Sequence, residues 1–378
     1  MLKIFISFIA ICLATAPEVL AQQKGEIPLP LPRQPKNIVL LIGDGMGTSQ
    51  IYAGMVANGN ILQLERFSHI GFSKTYSADN LITDSGAGAT ALSIGKKARN
   101  GGIGVDADST LHETILESAA AAGKVTGLVA TCDITHATPA SFAAHQPNRD
   151  WHEAIALDMS KAGVDLMIGG GLRHFEERTD RSNLIAAMED RGVMVVRDEA
   201  ALFNIKSLPV AAFLWNEDAP AKHKGRNDIL PRSTYLALEK LSEDEDGFFL
   251  MVEGSQIDWG GHANETEYIT QEMIDFDQAI GIALDFAERN KETLVIVTAD
   301  HETGGFAING GNQASNTVQG AFTTKKHTAV MVPVFAFGPG AEAFTGIQDN
   351  TQLYEKMMAA LDLAKKKRPV SWQNRDKF

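Results

Sequence analysis

The stretch Ile38-Val39-Leu40-Leu41-Ile42-Gly43-Asp44 decides the fold and, at its last residue, introduces the chemistry. Five consecutive aliphatic residues make a run of strand length with no polar face, the pattern of a strand buried on both sides. Two further runs end in the same way. Phe248-Phe249-Leu250-Met251-Val252 enters Glu253-Gly254, and Leu294-Val295-Ile296-Val297-Thr298 enters Ala299-Asp300-His301. Residues 125–130 make a fourth strand, and helical patterns fall at residues 111–122, 229–241 and 268–289. Strands alternating with helices predict an α/β fold: a three-layer sandwich whose central, mostly parallel sheet carries helices on both faces. In such a sheet the C-terminal strand ends share one edge, where ligands bind, so Asp44, Glu253 and Asp300 are expected to converge. Any one of them could instead cap the turn that follows it. Three converging carboxylates repel one another and persist only if protonated or bound to cations.

The residues around these acids suit metal ions. Asp258 and His262 stand at i and i+4, which puts a carboxylate and an imidazole on one face of a helical turn. Gly260 and Gly261 between them weigh against a regular helix. Asp300-His301 is a second oxygen and nitrogen pair, and His327 precedes an apolar stretch that could bring it to the same edge. Mixed carboxylate and imidazole ligands suit zinc, whereas an all-oxygen set around Glu253 suits magnesium. Gly43-Asp44-Gly45-Met46-Gly47 imitates a dinucleotide-binding loop, but Thr48 replaces the final glycine and Asp44 would repel a pyrophosphate. The glycines instead allow close approach to Asp44.

Ile82-Thr83-Asp84-Ser85-Gly86-Ala87-Gly88-Ala89-Thr90 places a hydroxyl before a run of small residues. If a helix starts here, its free N–H groups and positive end face an anion held at Ser85. Ser85 reads either as a nucleophile or as an N-cap serine opening a tightly packed helix. No G-x-S-x-G elbow is present and no histidine base lies in the motif.

The chain has 378 residues, enough for one large α/β domain or two ordinary ones. Its 44% hydrophobic and 21% charged composition is that of a globular protein. A net charge of -13 argues against a nucleic-acid-binding module and against an anionic membrane surface. An acidic chain that handles an anion needs local positive charge, which metal ions can supply. Residues 1–21 have one cation, Lys3, an apolar run and the ending Val19-Leu20-Ala21, the pattern of a signal peptide cleaved after Ala21. The mature chain is then expected in the periplasm or outside the cell, with no membrane span. Ile11 before Cys12 argues against lipidation. Loss of Cys12 leaves Cys132 alone and rules out an internal disulfide. Residues 22–36, with four prolines, read as an extended leader, and residues 37–378 as a single domain ending in the basic tail Lys365-Lys366-Lys367-Arg368. The other histidines, His69, His112, His145, His152, His174 and His223, lack metal-ligand company in the sequence, and the sequon Asn264-Glu265-Thr266 is expected to be idle.

From Asn37 to about Asp362 the chain resembles the alkaline phosphatases, in particular their compact bacterial members. The family signature, a hydrophobic residue, any residue, Asp-Ser, four small residues and Thr, is matched from Ile82 to Thr90. The resemblance implies a phosphomonoester hydrolase with Ser85 as the phosphorylated nucleophile. It implies that Asp258, His262 and His327 hold one zinc, that Asp44, Asp300 and His301 hold a second, and that Asp44, Thr138 and Glu253 hold a magnesium. Arg149 matches the arginine that grips phosphate, oriented by Asp84. His136 and Trp259 stand at positions that vary within the family, beside the third metal and the phosphate. The substrates implied are small phosphomonoesters, and a homodimer is the default. The related alternatives are a phosphodiesterase or sulfatase of the same superfamily, whose nucleophile is usually Thr or a modified Cys, and a non-catalytic phosphate or metal binder, which should have lost a ligand.

Overall fold

The run around Leu40 forms β1 (Asn37–Gly43), and all of its residues are buried. Its side chains divide between two cores. Ile38, Leu40 and Ile42 pack with Ala89, Leu92, Leu116 and Leu353, whereas Val39 and Leu41 pack with Leu238, Met273, Phe276 and Ile280. A strand that feeds two cores must carry a helical layer on each face, because alternate side chains point to opposite sides. Each of these side chains contributes roughly 1.5–3 kcal/mol by leaving water.

The computed structural model describes residues 34–363. The signal peptide with its cleavage point, Cys12, the leader as far as residue 33 and the basic tail lie outside those residues. After β1 come β2 (His69–Lys74), β3 (Val125–Asp133), β4 (Leu166–Gly170), β5 (Met194–Val196), β6 (Val210–Phe213) and β7 (Phe248–Gly254). Then follow β8 (Thr293–Thr298), β9 (Glu302–Thr303), β10 (Ala307–Asn312), β11 (Thr317–Ala321), β12 (His327–Thr328), β13 (Val332–Phe337) and β14 (Gly346–Asp349). Ten strands make one sheet in the order β14, β2, β13, β8, β1, β7, β3, β4, β6, β5. Every neighbouring pair is parallel except the two made by β13. The expected three-layer α/β sandwich is therefore the observed one. Because β8, β1 and β7 are adjacent, Ile42 is in register with both Thr298 and Glu253, and the acids of the three strands reach one edge together.

Most expected helices form with small changes at their ends. Ile229–Leu241 is helical over the expected residues, and the long helix runs Thr266–Asn290. The helix expected from residue 111 starts later, at Ile115. Thr114 and Glu117 form a reciprocal capping box at 3.1 and 2.9 Å that fixes the start there and leaves Leu111 exposed. Among the described residues no helix is long and apolar enough to cross a membrane.

Candidate active site

Ser85 opens the helix Ser85–Ile94, all ten residues of which are buried. Asp84 caps this helix, not Ser85: its carboxylate accepts the Ala87 N–H at 3.0 Å. The Ser85 hydroxyl is thus free of capping, and it lies 3.2 Å from His301 Nε2. The glycines behind it serve the packing of the helix. A Cβ at Gly88 would stand 3.0 Å from the Asp300 carbonyl oxygen, so a small residue lets the helix press against the end of β8.

Asp44, Glu253 and Asp300 converge as expected, each at most 1% exposed. Gly45, at φ +73°, turns the chain beyond Asp44, and a Cβ there would lie 2.6 Å from the Asp258 Cα. That closeness joins the β1 turn to the second ligand segment. The segment is helical, Ile257–Ala263, despite its two glycines. A Cβ at Gly260 would meet the Ile269 backbone at 2.8 Å, and one at Gly261 would meet Thr303 at 2.8 Å, so glycine there permits packing that outweighs its poor helix propensity. Asp258 and His262 consequently share a face, with Asp258 Oδ2 3.2 Å from His262 Nε2. β12 pairs with β9 and sets His327 opposite Thr303, two residues beyond His301.

The three histidines are oriented alike. His262 Nδ1 donates to the Lys325 carbonyl at 2.7 Å, and His327 Nδ1 donates to the Thr83 carbonyl at 2.9 Å. A carbonyl can only accept, so each Nδ1 carries a proton, and in the neutral imidazole Nε2 is then the nitrogen that presents a lone pair. His301 Nδ1 lies 3.2 Å from the Thr303 hydroxyl. The three Nε2 atoms then turn toward carboxylates: His327 Nε2 is 3.5 Å from Asp258 Oδ1, and His301 Nε2 is 3.5 Å from Asp44 Oδ1 and 3.2 Å from Asp300 Oδ2. Outer hydrogen bonds that fix the tautomer of an imidazole are typical of metal ligands. Two sets, Asp258 with His262 and His327, and Asp44 with Asp258 and His301, each bring their ligand atoms within 4.8 Å of one another.

The acids also look for cations. Asp44 Oδ1, Glu253 Oε1 and Asp300 Oδ2 are buried without a hydrogen-bond donor. Burial, followed by repulsion from Asp300, Asp258 and Glu253, pushes Asp44 well above the ordinary carboxylate range. Burial raises Glu253 to about 7 and, with Asp258 adding repulsion, Asp300 to about 6. Asp258 moves the other way, since the hydrogen bond from His262 and the neighbouring imidazoles outweigh its burial. Its carboxylate in turn lifts His262 to about 8. Burial and the adjacent His327 hold His301 well below its ordinary value, so its imidazole is neutral. Buried oxygens without donors beside imidazole nitrogens form a donor set that fits divalent cations.

The remaining expected residues surround this cluster. Thr138 donates to Asp44 Oδ2 at 3.4 Å, and Cys132 donates its thiol proton to Glu253 Oε2 at 3.3 Å. Arg149 Nη1 bonds Asp84 Oδ2 at 3.0 Å, and that pairing keeps its guanidinium charged despite burial. His136 and Trp259 meet edge to face, with ring centroids 5.9 Å apart, and burial and Arg149 lower His136 to about 4. A pocket of about 370 Å³ lined by Ile82, Thr83, Asp84, His262, Lys326 and His327 opens beside the ligands. Thr303, which donates to Asp258 and braces His301, was not read from the sequence. Its position two residues after His301 was the available signal. The histidines expected to lack company need correction: His152 and His174 lie with Asp133 in a third such group. Asp133 ends β3 as the other acids end their strands, but the shorter strand read from the sequence, ending at residue 130, hid that signal.

The family model for alkaline phosphatase matches residues 35–321 and 310–363. Alkaline phosphatase 3 of Bacillus subtilis is 34% identical, over 94% of this chain and 95% of its own length. The alkaline phosphatase of Escherichia coli is 33% identical, over 87% of this chain and 86% of its own. Among solved structures, the alkaline phosphatase from the Antarctic bacterium TAB5 is 42% identical, with a TM-score of 0.83 over 88% of this chain and 99% of that one. A substituted form of that enzyme, 41% identical with a TM-score of 0.82 over the same shares, carries magnesium in its M3 site. The fold, the ligand-bearing edge and these similarities agree, and the chain belongs to the alkaline phosphatase family of enzymes.

Proposed function

We propose that this chain hydrolyses small phosphomonoesters through a phosphoserine on Ser85, with its metals held at the edge formed by β8, β1 and β7. The observation that carries the reading is the Ser85 hydroxyl, buried at a helix start and 3.2 Å from a histidine of the ligand cluster. Asp258, His262 and His327 would hold one zinc, Asp44, Asp300 and His301 a second, and Asp44, Thr138 and Glu253 a magnesium. When bound, these ions supply positive charge that favours the serine alkoxide and neutralises phosphoryl oxygens, so no histidine base is needed.

The chain's own groups account for the rest. Ser85 Oγ gives up its proton to solvent and attacks phosphorus, the bond from phosphorus to the ester oxygen breaks, and the leaving alcohol takes a proton from solvent. Arg149, fixed by Asp84, keeps further N–H groups for two oxygens of the phosphoryl group, a forked contact that lysine makes poorly. The N-terminus of the Ser85–Ile94 helix adds positive potential at the same point. Water then attacks the phosphoserine, inorganic phosphate leaves, and Ser85 recovers its proton. His136 and Trp259, in contact with each other, would border the third metal and influence its identity. The signal sequence supports export to the periplasm or beyond, and a homodimer is the assembly to test.

Metal-replete protein should hydrolyse p-nitrophenyl phosphate at alkaline pH in preference to bis-p-nitrophenyl phosphate. A preference for the diester would transfer the chain to the phosphodiesterase reading, and no turnover of either would reduce it to a binding protein.

A further inference from the structure

Asp133, His152 and His174 take no part in the site above, yet one ligand atom from each lies within 4.8 Å of the others, as in the two sets at the sheet edge. Asp133 closes β3, His152 opens the helix His152–Lys161, and His174 belongs to the turn of helix Arg173–Glu176. His174 Nε2 is 2.9 Å from Asp133 Oδ2, and the two imidazoles stack nearly parallel, 4.7 Å apart. Asp133 Oδ1 is already occupied: it accepts the N–H and the hydroxyl of Thr135, each at 2.8 Å. The Thr135 hydroxyl also lies 2.8 Å from His152 Nδ1. These bonds orient the carboxylate from behind, as in metal sites, and leave Oδ2 to face the imidazole.

The surroundings of His174 Nε2 are mixed. His174 Nε2 is approached by a hydrogen-bond acceptor, Asp133 Oδ2, and also by a donor, Arg173 Nε at 3.3 Å. One ring nitrogen cannot give a proton to Asp133 and accept one from Arg173 at the same time. An ion in place of the proton would be held by Asp133 Oδ2 and His174 Nε2, while the charge of Arg173 is already paired with Glu217. Asp218, whose Oδ1 accepts the Asp133 N–H at 2.8 Å, adds further negative charge nearby.

We propose that Asp133, His152 and His174 bind a divalent transition metal of the zinc class, outside the catalytic cluster. Two imidazoles and a carboxylate are a three-ligand zinc set, and the partial exposure of both histidines leaves a coordination position for water. The ion would tie the end of β3 to the helix that begins three residues after Arg149.

The test is a zinc count on the full chain. Wild type and the double variant His152→Ala/His174→Ala are equilibrated with zinc chloride and magnesium chloride, dialysed, and measured by plasma mass spectrometry. The variant should hold about one zinc fewer per chain. Equal zinc contents would overturn the proposal. Should the variant fail to fold, anomalous diffraction at the zinc edge from wild-type crystals answers the same question. A peak between Asp133, His152 and His174 is expected, and an empty position at saturating zinc overturns it. Either readout is independent of turnover, so the site can fail while the catalytic reading stands.

Discussion

Two buried groups of carboxylates in this chain are neutralised in different ways. Beside the long helix Thr266–Asn290, Glu272 and Asp275 are paired within the chain: Arg226 bonds both, its Nη2 lying 2.9 Å from Asp275 Oδ2, and Lys222 Nζ lies 2.8 Å from Asp275 Oδ1. Two acids there meet two cations. At the ends of β1, β7 and β8, Asp44, Glu253, Asp258 and Asp300 are as deeply buried, while the nearby guanidinium, Arg149, is tied to Asp84. Three of these four acids keep an oxygen with no donor. The first group serves stability and takes its neutralising cations from the chain itself, Lys222 Nζ standing beside the Asp275 oxygen that lacks a hydrogen bond. The second has no such partners among the described residues, and it is the group that the proposed metals would complete.

The comparison can be broken in several ways. The largest expected effect follows Ser85→Ala, which changes no charge at either group. Turnover should fall by at least about a thousandfold, while zinc and magnesium contents match wild type. A variant that keeps its turnover would remove Ser85 from the mechanism, and one that loses metal would show the hydroxyl to be structural.

Arg226→Met tests the opposite region. Removing one partner of a buried ion network costs about 3–5 kcal/mol, because the acids left behind are uncompensated. Urea unfolding of metal-loaded protein should show a loss of that size, with turnover per folded molecule unchanged. A negligible loss would mean that the internal pairing matters less than its geometry suggests.

The smallest effect concerns pH in chelator-treated protein. Glu253 and Asp300 stand at about 7 and 6 in the folded chain, above their ordinary values of 4.5 and 3.8. Folding therefore binds protons at these sites. Their contribution to stability is full below about pH 4 and is lost as pH rises through about 6 and 7. The melting temperature of metal-free protein should fall across that window, and bound metal should flatten the fall. A metal-free protein that gains stability across the window would contradict the cation-deficient description of the edge.

Much of this was legible in the sequence because strand and acid are adjacent in it. The run 38–42 is apolar on both faces, so it announces a covered parallel sheet, and Asp44 follows it after the single residue Gly43. His327 was less legible: it reaches the site through the short pairing of β12 with β9, which two residues per strand cannot signal. The helix over Asp258 and His262 was obscured by Gly260 and Gly261, whose packing against Ile269 and Thr303 exists only in three dimensions. Asp84 displaced Ser85 as the helix cap because a carboxylate one residue earlier reaches the Ala87 N–H. Asp133, His152 and His174 were hidden by separation along the chain, since local spacing cannot show ligands brought together from three elements.

The central claim is that the edge formed by β8, β1 and β7 works only with external cations. The direct measurement is a titration of chelator-stripped protein with zinc and magnesium, following bound metal per chain and p-nitrophenyl phosphate turnover in the same samples. Turnover should be absent in stripped protein and return in proportion to metal bound at the edge, saturating at about two zincs and one magnesium there. Full turnover in protein shown to be metal-free would contradict the account.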